Sequence, residues 1–285
     1  MIFHSQVMNL HFKNKVGFLK FKKLEELDFI DHSFSTRLGG VSKDNFRSLN
    51  LGRKNKDSEA NVNTNYEYFC QAIGVKKENM VFTKQSHSVN IKVVGKNGIE
   101  NLSPEENFDA LVTNQPGVVL VSAHADCCPI FMIDTVRKAV GLAHAGWKGT
   151  SAGIAIKLVK MMKKLYNSSD IDLVAAIGPA IGGCCFEIDS KTAAEIEKSL
   201  DLGNSNDIKK LIKIIKMDVN GEHIKTNKYK ADLLGINKHQ LISVGICPKS
   251  MFVSDICTRC SSDLLFSRRA LGSDYGIMLA TLSLR

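Results

Sequence analysis

The most strongly patterned stretch of apolar and polar positions runs from Val121 to Gly149, VSAHADCCPIFMIDTVRKAVGLAHAGWKG. Pro129 to Ile133 and Ala139 to Ala143 are short apolar runs. Between them lies the polar-flanked Asp134-Thr135-Val136-Arg137, and the three together predict a β-hairpin. The midpoint of that turn falls between Thr135 and Val136. Cys127 and His144 then stand equally far from it, one at the mouth of each strand, and face each other with Cβ atoms about 5 Å apart. A one-residue slip would carry one of them to the opposite face.

Other segments show either the helical or the strand period. Val62, Tyr66, Phe69 and Ile73 recur at helical spacing, with Asp57 or Ser58 as the cap and Gly74 just beyond the end. Ile154, Leu158, Met161, Met162 and Leu165 form the apolar stripe of a helix over 154–165, with Lys157, Lys160, Lys163 and Lys164 on its solvated back. Val16 to Phe21 predicts an edge strand. Val118 to Val121 and Ile171 to Ile177 predict strands, the latter buried, and 101–107 predicts a polar loop. Further helices are expected over 191–200, 206–216 and 229–240. With no internal repeat and no low-complexity linker, residues 1–285 are expected to form a single α+β domain of mixed β-sheets with outer helices.

Composition narrows the function classes. At 285 residues and 44% hydrophobic, the chain can bury a large core, yet no apolar run nears the roughly 20 residues that span a bilayer. The N-terminus MIFHSQVMNLHFKNK lacks the apolar core of a signal peptide, so a cytoplasmic location without membrane association is expected. Eight cysteines in such a chain argue for reduced thiols and metal chemistry, not a disulfide frame. The formal charge of +9 raises nucleic-acid binding. The lysines, however, lie along helix faces without interleaved aromatic platforms, and this speaks for a solvated surface and no nucleic-acid partner. The sequence leaves the oligomeric state open.

A thiol beside an imidazole supports two chemistries, a metal site or a Cys–His nucleophile pair. A third donor would favour metal. His87, in the polar turn Thr83-Lys84-Gln85-Ser86-His87-Ser88, offers one. His87, Cys127 and His144 would leave one position free on a tetrahedral cation, the pattern of a catalytic and not a structural zinc. On spacing alone, satisfied core or turn residues are the favoured reading over a shared metal site. Asp126, directly before Cys127, could orient a ligand histidine, serve as a general acid or base, or simply accept turn N–H groups. Arg37 precedes the loop Leu38-Gly39-Gly40-Val41-Ser42, whose glycines allow positive φ and inward amides. It is either an anion clamp or an exposed loop arginine. Lys148, in Gly146-Trp147-Lys148-Gly149 before the 154–165 helix, could bind a phosphate, or the loop could be an ordinary helix start. Cys257-Thr258-Arg259-Cys260 is a C-x-x-C without a clear second half-site.

Several motifs occur in a shared order: HSFSTRLGGVS from His32, NLG from Asn50, KQSHS around His87, DALVT from Asp109, ADCCPI from Ala125, HAGWKG from His144, IGPAIGGCCFEI from Ile177, CT at Cys257 and FSRR from Phe266. In these the chain resembles the YfiH-like family. That family is long labelled multicopper polyphenol oxidase of laccase type, and is described as purine nucleoside phosphorylases with adenosine deaminase activity. The resemblance covers residue 30 to the C-terminus. It implies zinc on His87, Cys127 and His144, with copper the alternative under the older label. It implies a substrate-side role for Arg37, and nucleoside plus phosphate as small-molecule partners. The family usually has Arg where this chain has Lys148, which keeps charge but loses the bidentate fork. A Gly-Arg pair expected after Arg269 is missing from Gly272-Ser273-Asp274-Tyr275-Gly276. The readings that remain beside a zinc-dependent phosphorylase and deaminase are a metal-free Cys–His hydrolase on Cys127 and His144, a copper-dependent polyphenol oxidase, and a non-enzymatic metal-binding protein.

Overall fold

In the computed structural model of the chain, residues 3–53, 56–99, 105–199, 212–219 and 222–285 are described, with the backbone alone for 99, 199, 212–219 and 222–227. Strands and helices are numbered in chain order. The first sheet holds β1 (Met8–Lys13), β2 (Val16–Phe21), β3 (Ile30–Ser35), β4 (Met80–Phe82), β8 (Val119–His124) and β16 (Met278–Leu284), in the order β1-β2-β3-β16-β8-β4. The second holds β5 (Ile91–Gly95), β6 (Gly98–Ile99), β7 (Ala110–Thr113), β9 (Cys128–Asp134), β10 (Ala139–Ala145), β11 (Leu173–Ile177) and β15 (Met251–Val253), in the order β15-β11-β9-β10-β7-β5-β6. A small third sheet joins β12 (Glu187–Asp189), β13 (Ile212–Val219) and β14 (Glu222–Ala231). The helices are α1 (Glu59–Ile73), α2 (Trp147–Ser151), α3 (Ile154–Tyr166), α4 (Ser190–Ser199), α5 (Leu233–Ser243) and α6 (Arg268–Leu271).

The two large sheets pack face to face, and helices cover their outer sides. Phe34, Leu120, Ala280 and Leu282 of the first sheet meet Leu111, Phe131, Ile133, Val140 and Leu142 of the second in one buried cluster. On the far side of the second sheet, Ile130, Met132 and Ala143 pack against Leu158, Val159 and Met162 of α3 and Ile236 and Leu241 of α5. On the far side of the first, Val119, Val121 and Leu279 pack against Val62, Tyr66 and Phe69 of α1. Successive residues of β9 therefore face alternate cores, both dry. This is why Pro129–Ile133 reads as an unbroken apolar run and not as an alternation. The fold is α+β, with mixed sheets and outer helices, as the sequence pattern predicts.

The hairpin exists, but its turn sits one residue later than the pattern predicts. Asp134 pairs with Ala139, and His144 with Pro129. Asp134 Oδ1 accepts the N–H groups of Val136 at 2.9 Å and Arg137 at 2.7 Å, and Lys138 takes φ +50°, so the connection is 135–138. Cys127 is thus diagonal to His144 and not directly opposite it. A displacement of two keeps both on one face of the ladder.

Four other expectations change. Val16–Phe21 is an inner strand, because Met8–Lys13 pairs along its outer side. The strand predicted over 171–177 begins at Leu173; Ile171 lies in a single 3₁₀ turn and is 83% exposed. The helix expected over 206–216 is β-strand from Ile212 onward, because β14 supplies an antiparallel partner that an isolated pattern of Ile and Lys does not reveal; its 206–211 part lies outside the described residues. The helix expected over 229–240 starts at Leu233, with Asp232 accepting the N–H of Gly235, and runs to Ser243. The loop expected over 101–107 lies outside the described residues as far as 104. Helix α1 follows expectation, with Ser58 as its cap and Gly74 in the left-handed conformation at its end.

Candidate active site

His144 is the next-to-last residue of β10, buried to 4% exposure, and its ring Nδ1 lies 2.9 Å from Asp109 Oδ1. Asp109 stands immediately before β7, the neighbour of β10, and is fully buried. Its carboxylate also accepts the backbone N–H groups of Ser86, His87 and Ser88 at 3.1, 3.1 and 2.6 Å, and the Ser88 hydroxyl at 2.8 Å. These three consecutive amides curl around one anion. His87 takes φ +60° to do so, a conformation rare for a side chain with a Cβ. Asp109 therefore sets two imidazoles at once. It orients one ring through a side-chain bond and bends the turn that carries the other.

Cys127 completes the group. One ligand atom from each of His87, Cys127 and His144 lies within 4.8 Å of the other two. The rings of His87 and His144 have centroids 5.0 Å apart. Gly146 faces the gap: a Cβ there would stand 2.5 Å from His87 Nδ1 and 3.1 Å from Cys127 Sγ, so only glycine fits against this set. His124 braces the strand end from below, its ring nitrogens bonded to Ser122 Oγ at 2.7 Å and to the Cys127 carbonyl at 3.0 Å. The vicinal thiols have separate surroundings. Cys128 is fully buried in the core between β9 and α3, and burial followed by the neighbouring Cys127 pushes its pKa well up, leaving an inert thiol.

Charge follows from these contacts. Burial opposes ionisation of Asp109, but the hydrogen bonds from His144, Ser88 and Ser86 outweigh it and hold its pKa at about 2. Burial likewise opposes an imidazolium at His144. The Cys127 sulfur and the Asp109 carboxylate outweigh it and lift its pKa to about 9. His87 moves down, first through desolvation and then through His144. With Nδ1–H of His144 directed at Asp109, its Nε2 is the nitrogen left to face Cys127.

The set lines a cavity of about 1050 Å³ whose walls also include Trp147 and Phe186, the basic Lys148, Arg268 and Arg269, and the acidic Glu187 and Asp189. Lys148 thus lines the same cavity as the three donors. Asp126 also lines the cavity, but both its oxygens are engaged: Thr258 donates its hydroxyl to one, and Arg269 its backbone N–H to the other at 2.7 Å. It does not orient a histidine; Asp109 holds that place. Arg37 lies elsewhere. Its guanidinium donates to the carbonyls of Arg47 and Ser262 and stacks 4.6 Å over the ring of Phe266, and it does not line the cavity. The Gly39–Gly40 loop is no anion cradle either. Its amides donate to Ser48 Oγ and Asn65 Oδ1, and only Gly39 takes positive φ. Sequence reasoning missed Asp109, Arg268 and Arg269, although each lies in one of the shared motifs.

Two packed sheets with a thiol, two imidazoles and a buried carboxylate converging beside a cavity that mixes acidic and basic side chains define an α+β protein with a candidate metal or nucleophile site. The chain belongs to the family described as multi-copper polyphenol oxidoreductase laccase, whose model matches residues 31–285. Among its relatives, purine nucleoside phosphorylase YlmD of Bacillus subtilis is 30% identical over 257 residues, 88% of this chain and 87% of that protein. Adenosine deaminase RL5, from an unknown prokaryotic organism, is 30% identical over 89% of this chain and 96% of its own length. The solved structure of YlmD from Geobacillus stearothermophilus superposes with a TM-score of 0.84 at 28% identity, covering 98% of this chain and 99% of that one.

Proposed function

We propose that the protein is a zinc-dependent enzyme of purine nucleosides, a phosphorylase acting on adenosine, inosine or methylthioadenosine with phosphate, and an adenosine deaminase. The observation that carries this reading is the approach of the ligand atoms of His87, Cys127 and His144 to within 4.8 Å of one another in the wall of a cavity large enough for a nucleoside and a phosphate, which Lys148, Arg268 and Arg269 also line. The names of the relatives support the substrate class. The donor set fits zinc: two imidazoles and one thiol, one imidazole locked in the ligating tautomer by Asp109, and a glycine where a Cβ would crowd the donors. When bound, the cation would supply Lewis-acid charge at the reacting centre.

The chain's own residues do the rest. Lys148, Arg268 and Arg269 offer positive charge for phosphate, and Trp147 offers a face for the base. In phosphorolysis a phosphate oxygen bonds to the anomeric carbon as the glycosidic bond breaks, and the purine leaves with the bonding electrons. Asp126 acts as a positioning residue, tying Thr258 and the Arg269 backbone to the strand end that carries Cys127. No nucleic acid is a partner in this reading. Incubation with each nucleoside plus phosphate, read by chromatography, tests the proposal. Free base and inosine are expected, and both should vanish in His87→Ala. If the wild-type chain releases neither product, the assignment fails.

One observation favours a second reading. Asp109, His144 and Cys127 run carboxylate–imidazole–thiol, the order of a metal-free Cys–His hydrolase. Zinc content of protein purified without chelator separates the two readings, because only the metal enzyme loses zinc on His87→Ala. The family description points to several coppers. Among the described residues, however, only two clusters of three or more His, Cys or carboxylate donors occur, and one of them contains no histidine. Multicopper sites need far more imidazole than that.

A further inference from the structure

The second of those clusters has no part in the reaction above. It joins two loops far apart in sequence. Residues 178–186 follow β11, and residues 254–265 follow β15. Thr258 donates its N–H to the Ala180 carbonyl at 3.0 Å, and Ala180 and Cys257 form an isolated parallel bridge. This pairing brings the vicinal Cys184 and Cys185 against the C-x-x-C of Cys257 and Cys260. All four sulfurs lie within 4.8 Å of one another, with Cys260 Sγ 3.7 Å from Cys184 Sγ and 3.4 Å from Cys185 Sγ. A zinc–sulfur bond of about 2.3 Å gives a tetrahedron whose edge is about 3.8 Å, close to these separations. A disulfide needs about 2.05 Å, and all four cysteines are free. Gly182 N–H points at Cys257 Sγ at 3.2 Å, the kind of backbone donor that stabilises a bound thiolate. The second half-site of the C-x-x-C is therefore the vicinal pair, which sequence spacing alone does not reveal.

We propose that Cys184, Cys185, Cys257 and Cys260 form a separate four-thiolate site for a soft divalent cation of the zinc class, closed to substrate and serving as a clamp between the two loops. Four sulfur ligands leave no open position, the mark of a structural and not a catalytic metal. The clamp has a specific load. Thr258, inside the C-x-x-C, holds the Asp126 carboxylate, and Ile181 donates its N–H to the Asp126 carbonyl at 2.8 Å. Asp126 in turn precedes Cys127 and binds the backbone of Arg269. Metal on the four thiols thus locks the cavity wall that carries Phe186 and Arg269. Each thiol gives up its proton on binding, so loading releases acid and weakens at low pH.

The test keeps this site apart from the histidine site. A His87→Ala/His144→Ala chain, reduced, incubated with Zn²⁺ and desalted, is expected to keep one zinc per chain with an all-sulfur X-ray absorption shell. Cobalt in its place should give thiolate-to-metal charge transfer. Adding Cys257→Ser and Cys260→Ser should remove that zinc. If the quadruple variant fails to fold, release of the zinc from the double-histidine variant by an organomercurial, in step with thiol modification, gives the same answer. The proposal is overturned if the double-histidine variant retains no zinc, if its retained zinc shows nitrogen ligands, or if its mass reveals a disulfide among these cysteines. Zinc in this variant with no product from the wild-type nucleoside assay would leave the clamp standing and the nucleoside reading refuted.

Discussion

Asp109→Asn isolates the carboxylate on which the site geometry depends. The side chain accepts five donors: His87 N–H and His144 Nδ1–H on Oδ1, and Ser86 N–H, Ser88 N–H and Ser88 Oγ–H on Oδ2. Asparagine keeps the shape but replaces one acceptor with an NH₂ group. Placed with its oxygen toward the Ser86–Ser88 side, it sets its own protons against His87 N–H and His144 Nδ1–H. Two buried donors left unpaired cost about 1–3 kcal/mol each, so stability should fall by roughly 2–5 kcal/mol. For a chain of this size that is a drop in Tm of about 5–15 °C. His144 can relieve half of the clash by accepting from the amide, but its proton then moves to Nε2, the nitrogen that faces Cys127. The ligating tautomer is lost, and zinc affinity should fall about 10–100-fold. Thermal melting of metal-free protein measures the first effect, and competition with a chromophoric chelator the second. A variant that melts within a degree of wild type and binds zinc within twofold would show that Asp109 neither braces the turn nor sets the ring.

Three further outcomes follow from the same structure. His32 Nε2 accepts the Phe21 N–H at 2.8 Å, and burial, then Lys20, depresses its pKa to about 3. Its contribution is complete above about pH 6.5 and lost as pH falls toward 3, at about 1.4 kcal/mol per pH unit and up to about 5 kcal/mol in all; urea midpoints of wild type and His32→Asn across pH 7 to 4 should diverge in slope, and parallel curves would refute it. Gly146→Ala places a Cβ 2.5 Å from His87 Nδ1 and should displace that ring, costing about tenfold or more in zinc affinity with little change in Tm, since His87 lies on an exposed turn; unchanged affinity by chelator competition would remove the crowding argument. Arg269→Ala should raise the KM for phosphate about 10-fold or more, while Arg37→Ala should leave it within twofold and lower stability by about 1–3 kcal/mol, and steady-state kinetics with melting curves would expose a reversal.

The layered fold was legible where burial leaves a mark on one segment at a time. β9 and β10 show as apolar runs because each has a dry core on both faces, and α1 and α3 show through their stripes and glycine ends. Pairing is a property of two segments, and there the pattern failed. Ile212–Val219 mixes Ile and Lys in a way that satisfies either period, and only the partner strand β14 decides for sheet. The hairpin turn moved by one residue because Asp134 uses its side chain to cap the loop, an effect that hydrophobic pattern does not record.

At the site, the same division separates what was found from what was missed. His87, Cys127 and His144 were visible because imidazole and thiol are few and sit beside recognisable turns. Asp109 was not, because an aspartate before a strand is ordinary until its five donors are known, and three of those are main-chain amides with no residue identity at all. Arg37 shows the converse error. A guanidinium next to two glycines resembles an anion clamp, but two of its five N–H donors go to the carbonyls of Arg47 and Ser262 and its plane lies over Phe266, away from the cavity lining, so it holds loops. Whether a charged side chain serves structure or substrate is decided by how many of its bonds the backbone already takes. By that measure Lys148 keeps its charge for the cavity, Arg269 shares its own between the Glu187 carbonyl and the cavity, and Arg37 spends its charge on the fold.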